Sequence, residues 1–141
     1  FSSRRRHTRY ISVTGVQTCA LPISEKGEFL GGALAPGIEI SLDALASRAA
    51  QLRKVELVRP RAAIGKNTVE ALQSGALYGF AGQVDGLVSR IAAELKTPLA
   101  AVIATGGLAP IVVPESATIT THNPDLTLHG LRLVYERNSA G

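Results

Sequence analysis

Residues 67–96 constrain the fold of this chain more than any other stretch. Val69, Leu72, Ala76, Phe80, Val84, Leu87, Ile91 and Leu95 recur at spacings of 3, 4, 4, 4, 3, 4 and 4, the period of one apolar stripe along an α-helix. Asn67 stands where an N-cap belongs, and Glu70 three residues on gives a variant of the capping box. The pattern predicts a helix from about Thr68 to Lys96. A second stripe runs beside the first: Gly75, Gly79, Gly82 and Gly86, spaced 4, 3 and 4. Each interior glycine costs roughly 0.5–1 kcal/mol relative to alanine. Four on one face call for a compensating reason, the close approach of another backbone. Spacing alone leaves open whether that backbone belongs to the same domain or to a second copy.

The remaining elements alternate around this helix. Glu25-Lys26-Gly27 reads as a turn that leads into an extended stretch at Glu28-Phe29-Leu30. A turn in that place implies a partner strand upstream. Ile38, Leu42, Leu45, Ala49 and Leu52 form the stripe of a first helix starting near Ile38 or Ser41, with Arg48, Arg53 and Lys54 toward its C-terminal end. Val55-Glu56-Leu57-Val58 reads as a short extended segment closed by Pro60. Leu99–Ala104 reads as a short buried strand running into Thr105-Gly106-Gly107, after which Pro110 and Pro114 allow at most a short helical turn. Ile119 and its threonine neighbours suggest another extended piece. Leu126, Leu128, Leu131, Leu133 and Val134 suggest a final helix capped by Asp125 or Thr127. Strands alternating with helices place the chain in the α/β class.

Charge enters because it divides the chain in two. The formal net charge is +4, but Arg4, Arg5, Arg6 and Arg9 supply all of it, and residues 1–23 contain no acid. In residues 24–141 eleven Lys and Arg balance eleven Asp and Glu. A neutral body of this kind argues against a nucleic-acid partner. No apolar run reaches the ~18 residues of a membrane span, so no membrane partner is expected. The one cysteine, Cys19, cannot form an intrachain disulfide, which fits a reducing, cytoplasmic setting. The segment SSRRRHTR followed by YISVTGVQTCALPI resembles translated sequencing adapter joined in frame to a gene. Residues 1–23 are therefore expected to be a non-native, disordered tail, and residues 24–141 the folded domain.

Few residues of the body carry chemistry. His122 and His129 lie seven apart without a cysteine or paired carboxylate at ligand spacing, so no metal site is expected. Asp43, Asp85 and Asp125 fit helix caps or solvated faces better than an acid–base pair, and no catalytic base can be named. Two places suit a ligand. Gly106-Gly107 follows a buried strand at the end where open α/β sheets leave a crevice, and lets backbone approach a flat or anionic group. Thr68 places a hydroxyl beside the unpaired N–H groups of a helix N-terminus. A plain turn and a plain capping threonine are the structural alternatives.

The blocks GEFLGGALAPGIEISLDALASRAAQL, IGKNTVEALQSGALYGFAGQVDGL, VIATGGLA and LTLHGLRLVYERN, in this order, closely resemble the C-terminal half of type III pantothenate kinase. The resemblance implies an α/β, ribonuclease-H-like domain of the acetate and sugar kinase/Hsc70/actin superfamily, truncated at its N-terminus. It implies transfer of phosphate from ATP, accompanied by a divalent metal, to pantothenate, the first step of coenzyme A synthesis. A monovalent cation, K+ or NH4+, and a homodimer come with the family. Position by position, it implies that Thr68 contacts pantothenate and that Thr105, Gly106 and Gly107 form part of the adenosine pocket. It places Gly31, Gly32, Gly75 and Gly79 at the dimer interface.

The departures are as specific. The Asp-Gly-Asn phosphate motif, the Gly-x-Asp-Arg loop with the catalytic base, and the second phosphate motif with the cation-binding Asp would all precede residue 24, and the sequence there has none of them. The chain is therefore expected to be inactive by itself, with an incomplete sheet. Two other functions compete on the same fold: a non-enzymatic regulator like the Bvg accessory factor, and a dimerisation module.

Overall fold

The computed structural model describes residues 10–13, 17–48, 55–96 and 98–139. Five strands form one sheet: β1 (Tyr10–Val13), β2 (Gln17–Ile23), β3 (Ala33–Pro36), β4 (Ala101–Ala104) and β5 (Thr121–His122). Their order is β3-β2-β1-β4-β5. β1 and β2 pair antiparallel, as do β2 and β3, whereas β4 runs parallel to β1 and β5 parallel to β4. Four helices connect and follow these strands: α1 (Ile38–Arg48), α2 (Thr68–Leu95), α3 (Ala109–Val112) and α4 (Leu126–Ser139). An antiparallel three-strand unit followed by two parallel strands, each reached through helix, is the ribonuclease-H-like arrangement that the sequence implies.

The first two strands correct the sequence reading. Residues 1–23 are not wholly outside the fold, because Tyr10–Val13 and Gln17–Ile23 are paired strands and Ala20 lies in the core with 1% of its surface exposed. The partner strand that the Glu25–Gly27 turn calls for is β2, closed onto the Phe29 side by the Ile23–Phe29 bridge and the Leu30 N–H bond to the Pro22 carbonyl. The physical reason is that a ladder is made by backbone groups and accepts any run of suitable side chains. Tyr-Ile-Ser-Val and Thr-Cys-Ala-Leu are such runs, whatever their origin. The arginines Arg4–Arg6 and Arg9 lie outside the described residues.

α2 is the organising element, and its ends are where the local signals place them. Asn67 is extended and its side-chain oxygen accepts from the Glu70 amide at 2.9 Å, while Glu70 accepts from the Lys66 amide at 2.8 Å. Lys96 closes the helix in the left-handed conformation, φ 53°. The face it buries differs from the expected stripe. Ser74, Leu77, Phe80, Ala81, Val84 and Val88 are the buried residues of α2, whereas Val69 is exposed and Leu72, Ala76, Leu87, Ile91 and Leu95 are half-buried. Leu77, Ala81, Val84 and Val88 join Ala20, Ile38, Val102 and Val112 in the core cluster. The sheet, not the hydrophobic sum along the helix, selects that face, since Ala20 and Val102 must be covered.

Other elements follow the sequence more loosely. α1 begins at Ile38 as expected, but of its stripe only Ile38 is buried, with Leu45 exposed; Ala49, Leu52, Arg53 and Lys54 lie outside the described residues. Val55–Val58 forms no strand. It runs along α2, held by the Gln73 side chain donating to the Glu56 carbonyl at 3.0 Å. Pro110 and Pro114 limit the stretch after β4 to the one-turn α3 and the 3₁₀ turn Val113–Glu115.

Candidate functional site

The end of β4 is built to present backbone. Val102 and Ala104 are buried, Thr105 after them is 4% exposed, and Gly106 turns the chain at φ +99°, a conformation that side-chain-bearing residues rarely adopt. The Ala109 amide bonds to the Gly106 carbonyl at 3.2 Å and starts α3. Gly107 has open space where a Cβ would be. β5 braces the strand on its other side: the Thr120 amide donates to the Val102 carbonyl, the Asn123 amide to the Ala104 carbonyl, and Thr120 Oγ1 bonds both the amide and the carbonyl of Val102. His122 sits in register with Ala104, and its Nε2 is buried without a hydrogen-bond partner.

Asp85 ties α2 to this region, and sequence reasoning missed it. Its carboxylate accepts from Ser116 Oγ and Thr118 Oγ1, both at 2.6 Å, and from the amides of Ala117 at 2.9 Å and Thr118 at 3.0 Å. Partial burial pushes this carboxyl up, but the hydroxyls of Ser116 and Thr118 and the two amides outweigh it, so its pKa is lowered. The available signal was position. Asp85 stands deep inside a long helix beside buried Val84, far from either end, where a cap is impossible. Nearby, Arg59 Nη2 lies 2.8 Å from Glu115 Oε1, an ion pair without hydrogen-bond alignment. It holds the segment before α2 against the 3₁₀ turn.

Thr68 occupies the first position of α2 and is exposed. The segment leading to it is pinned to the helix by Ser74, whose hydroxyl donates to the Ala63 carbonyl at 2.5 Å, and by Gly65, whose backbone lies so close to Ala71 that no Cβ would fit. Asn67 caps the Glu70 amide, and its carbonyl accepts from Ala71, which leaves the amides of the first turn at Thr68 and Val69 to face outward. Thr68 stands at the start of α2 and the Gly106 turn at the end of β4.

The four candidate interface glycines divide into two kinds. Gly31 has φ +112°, and a Cβ on Gly32 would lie 2.8 Å from Leu21 Cδ2 and 2.9 Å from the Ala20 carbonyl oxygen, so both are explained inside the chain. Gly75 and Gly79, by contrast, have nothing within 4 Å of a built Cβ, and neither has Gly82. No backbone of the described residues packs closely on that stripe. Gly75 and Gly79 instead floor an apolar groove of about 360 Å³ between α1 and α2, walled by Ile38, Leu42, Leu45 and Leu72.

Among the described residues no three His, Cys, Asp or Glu side chains gather as a metal-binding group. No helix among them is long and apolar enough to cross a membrane.

A model of the type III pantothenate kinase family matches residues 7–90, starting inside the arginine-rich stretch. A type III pantothenate kinase of Saccharopolyspora erythraea is 75% identical over 127 residues, covering 88% of this chain and 48% of the relative. One from Rhodococcus opacus is 64% identical over 129 residues, covering 89% and 48%. The chain thus spans about half the length of the curated relatives it matches. Among solved structures, a Baf family protein from Campylobacter jejuni superposes with a TM-score of 0.53 at 16% identity, over 97% of this chain and 61% of that one. The activator of 2-hydroxyisocaproyl-CoA dehydratase from Clostridium difficile, solved with bound ADPNP, gives 0.51 at 15% identity, over 97% and 64%. At such identities the two carry the fold alone.

Proposed function

The chain belongs to the type III pantothenate kinase family, and from that premise we propose that it is the C-terminal part of an ATP-dependent kinase that converts pantothenate to 4'-phosphopantothenate in the cytoplasm. In that reaction the pantothenate hydroxyl oxygen attacks the γ-phosphorus, the bond to the bridging oxygen of ADP breaks, and the hydroxyl proton passes to a base. This chain's share is positioning. The Thr105-Gly106-Gly107 turn receives the adenosine, and the Thr68 hydroxyl with the open amides beside it holds pantothenate in a site shared between two subunits. The stripe Gly75–Gly79, bare within the chain, is the surface of α2 on which the second subunit packs. ATP comes with a divalent metal and a monovalent cation, K+ or NH4+, whose ligands lie outside the described residues. The base lies outside them as well, so the chain by itself is a binding unit that does not turn over.

The observation that carries the nucleotide assignment is the Gly106 turn at the end of interior strand β4, with open space over Gly107. Valine at position 107 has room in the free chain but fills the space the nucleotide needs. Calorimetric titration with ATP is expected to show binding by the wild-type chain and at least tenfold weaker binding by Gly107→Val, with unchanged circular dichroism. Equal affinities, or no binding by the wild-type chain, would reject the assignment. ADP release in the presence of pantothenate is expected at the level of a protein-free control.

A further inference from the structure

The chain between the Gly106 turn and the loop tied to Asp85 is bonded at every step. The Gly106 carbonyl accepts from the Ala109 amide, that of Leu108 from Ile111 and Val112, that of Ala109 from Val113, and that of Val113 from Ser116. Pro110 and Pro114 fix φ at two positions along it, and Ala109 and Val112 are buried. Glu115 stands at the far end of this arm, with its side chain 12% exposed. Its Oε1 is buried and accepts no hydrogen bond among the described residues, where its counter-charge is the guanidinium of Arg59, 2.8 Å away. Arg59 comes from a segment that is itself fixed. Pro60 beside it is buried, the Glu56 carbonyl accepts from Gln73, and the Ala63 carbonyl accepts from Ser74.

We propose that Arg59 is a positioning residue for the nucleotide turn, acting through Glu115 and not by contact with ATP. A carboxylate so largely removed from water is tolerated as an ion beside a cation. Taking away one partner of such a pair costs more than taking away both, because a charge is left uncompensated. Arg59 is 70% exposed and keeps most of its hydration, so the cost of pairing falls on Glu115. Without Arg59 the relief open to Glu115 is to turn out to solvent. Ser116 and Thr118 are held on Asp85, so the movement is taken up on the other side of Glu115. There lie the 3₁₀ turn and α3, whose bonded steps end on the Gly106 carbonyl. The space over Gly107 then changes shape with no change in any residue of the turn.

This role rests on the assignment of ATP to the Gly106 turn, and the test separates the two. ATP is titrated calorimetrically into this chain and its variants at neutral pH, each with unchanged circular dichroism. Arg59→Gln is expected to bind at least about fivefold more weakly, and Arg59→Lys to stay within about twofold of wild type. Arg59→Gln with Glu115→Gln is expected to recover to within about twofold, because no charge is left uncompensated. A pair that serves stability alone lowers the melting temperature of Arg59→Gln and leaves its ATP affinity unchanged, which overturns the proposal. A double variant as weak as Arg59→Gln overturns it as well. Where Arg59→Gln does not fold, Glu115→Asp keeps the charge but draws it one methylene away from Arg59. It is expected to weaken ATP binding at least about threefold, and wild-type affinity there overturns the proposal. Weakened binding by Gly107→Val alongside equal affinities in the Arg59 and Glu115 variants leaves the assignment standing and removes Arg59 from it. No binding of ATP by the wild-type chain overturns both.

Discussion

Removing the Asp85 carboxylate should release α2 from the loop that follows the 3₁₀ turn. Four donors converge on it: Ser116 Oγ, Thr118 Oγ1 and the amides of Ala117 and Thr118, at 2.6–3.0 Å. A hydrogen bond to a charged acceptor contributes about 1.5–3 kcal/mol, but bonds sharing one acceptor are not additive. Ala117 is exposed and its amide can turn to water. Asp85→Ala should therefore cost about 2–4 kcal/mol. Asp85→Asn keeps an acceptor for the donors at Oδ1 but sets an NH₂ group against the Ala117 amide, and should cost about 1–2 kcal/mol. The pKa of Asp85 is lowered on folding, so the unfolded chain holds the proton more tightly. The stabilisation is then complete above the unfolded value, about 3.9 for Asp, and is lost as pH falls through the folded value. Urea midpoints measured between pH 7 and pH 2.5 should show wild type and Asp85→Asn separated at neutral pH and converging below about pH 4. An Asp85→Ala chain within about 0.5 kcal/mol of wild type at pH 7 would refute the reasoning, as would a gap that does not change with pH.

Three further outcomes rest on the same fold. Gly106→Ala forces a Cβ into φ +99° and should destabilise the chain by about 1–2 kcal/mol, read as a lower urea midpoint together with weakened ATP binding. At Gly79 a Cβ meets nothing within 4 Å and the position opens on the groove between α1 and α2, so Gly79→Leu gains helix propensity and the monomer should be as stable or up to about 1 kcal/mol more stable. Sedimentation should nevertheless show loss of self-association, and an unchanged oligomeric state would remove α2 from the interface. Asn67→Ala deletes the cap on the Glu70 amide and should cost about 1 kcal/mol, with helix loss concentrated in the first turn of α2 by hydrogen exchange.

Local signals in the sequence located most helices and the glycine turn after β4. Asn67 and Glu70 marked the start of α2, Ile38 the start of α1, Pro110 and Pro114 the shortness of α3, and Gly106-Gly107 the turn after β4. These are decided by backbone donors, caps and φ preferences within a few residues, so a sequence states them directly. The four family blocks likewise point to the fold and to the type III pantothenate kinase family. Pairing across the chain was not legible in this way. Nothing local distinguishes Tyr10–Val13 and Gln17–Ile23, as strands in the centre of a sheet, from an unrelated tail, because a ladder asks only for strand-compatible side chains and an available edge. The buried face of α2 was set by Ala20 and Val102 lying beneath it, and the role of Asp85 by three residues more than thirty positions away. Bare glycines at 75 and 79, and an apolar α4 with no cover, are likewise tertiary facts. Periodicity says that a face is apolar, and only the neighbours that fold against it decide whether that face is filled.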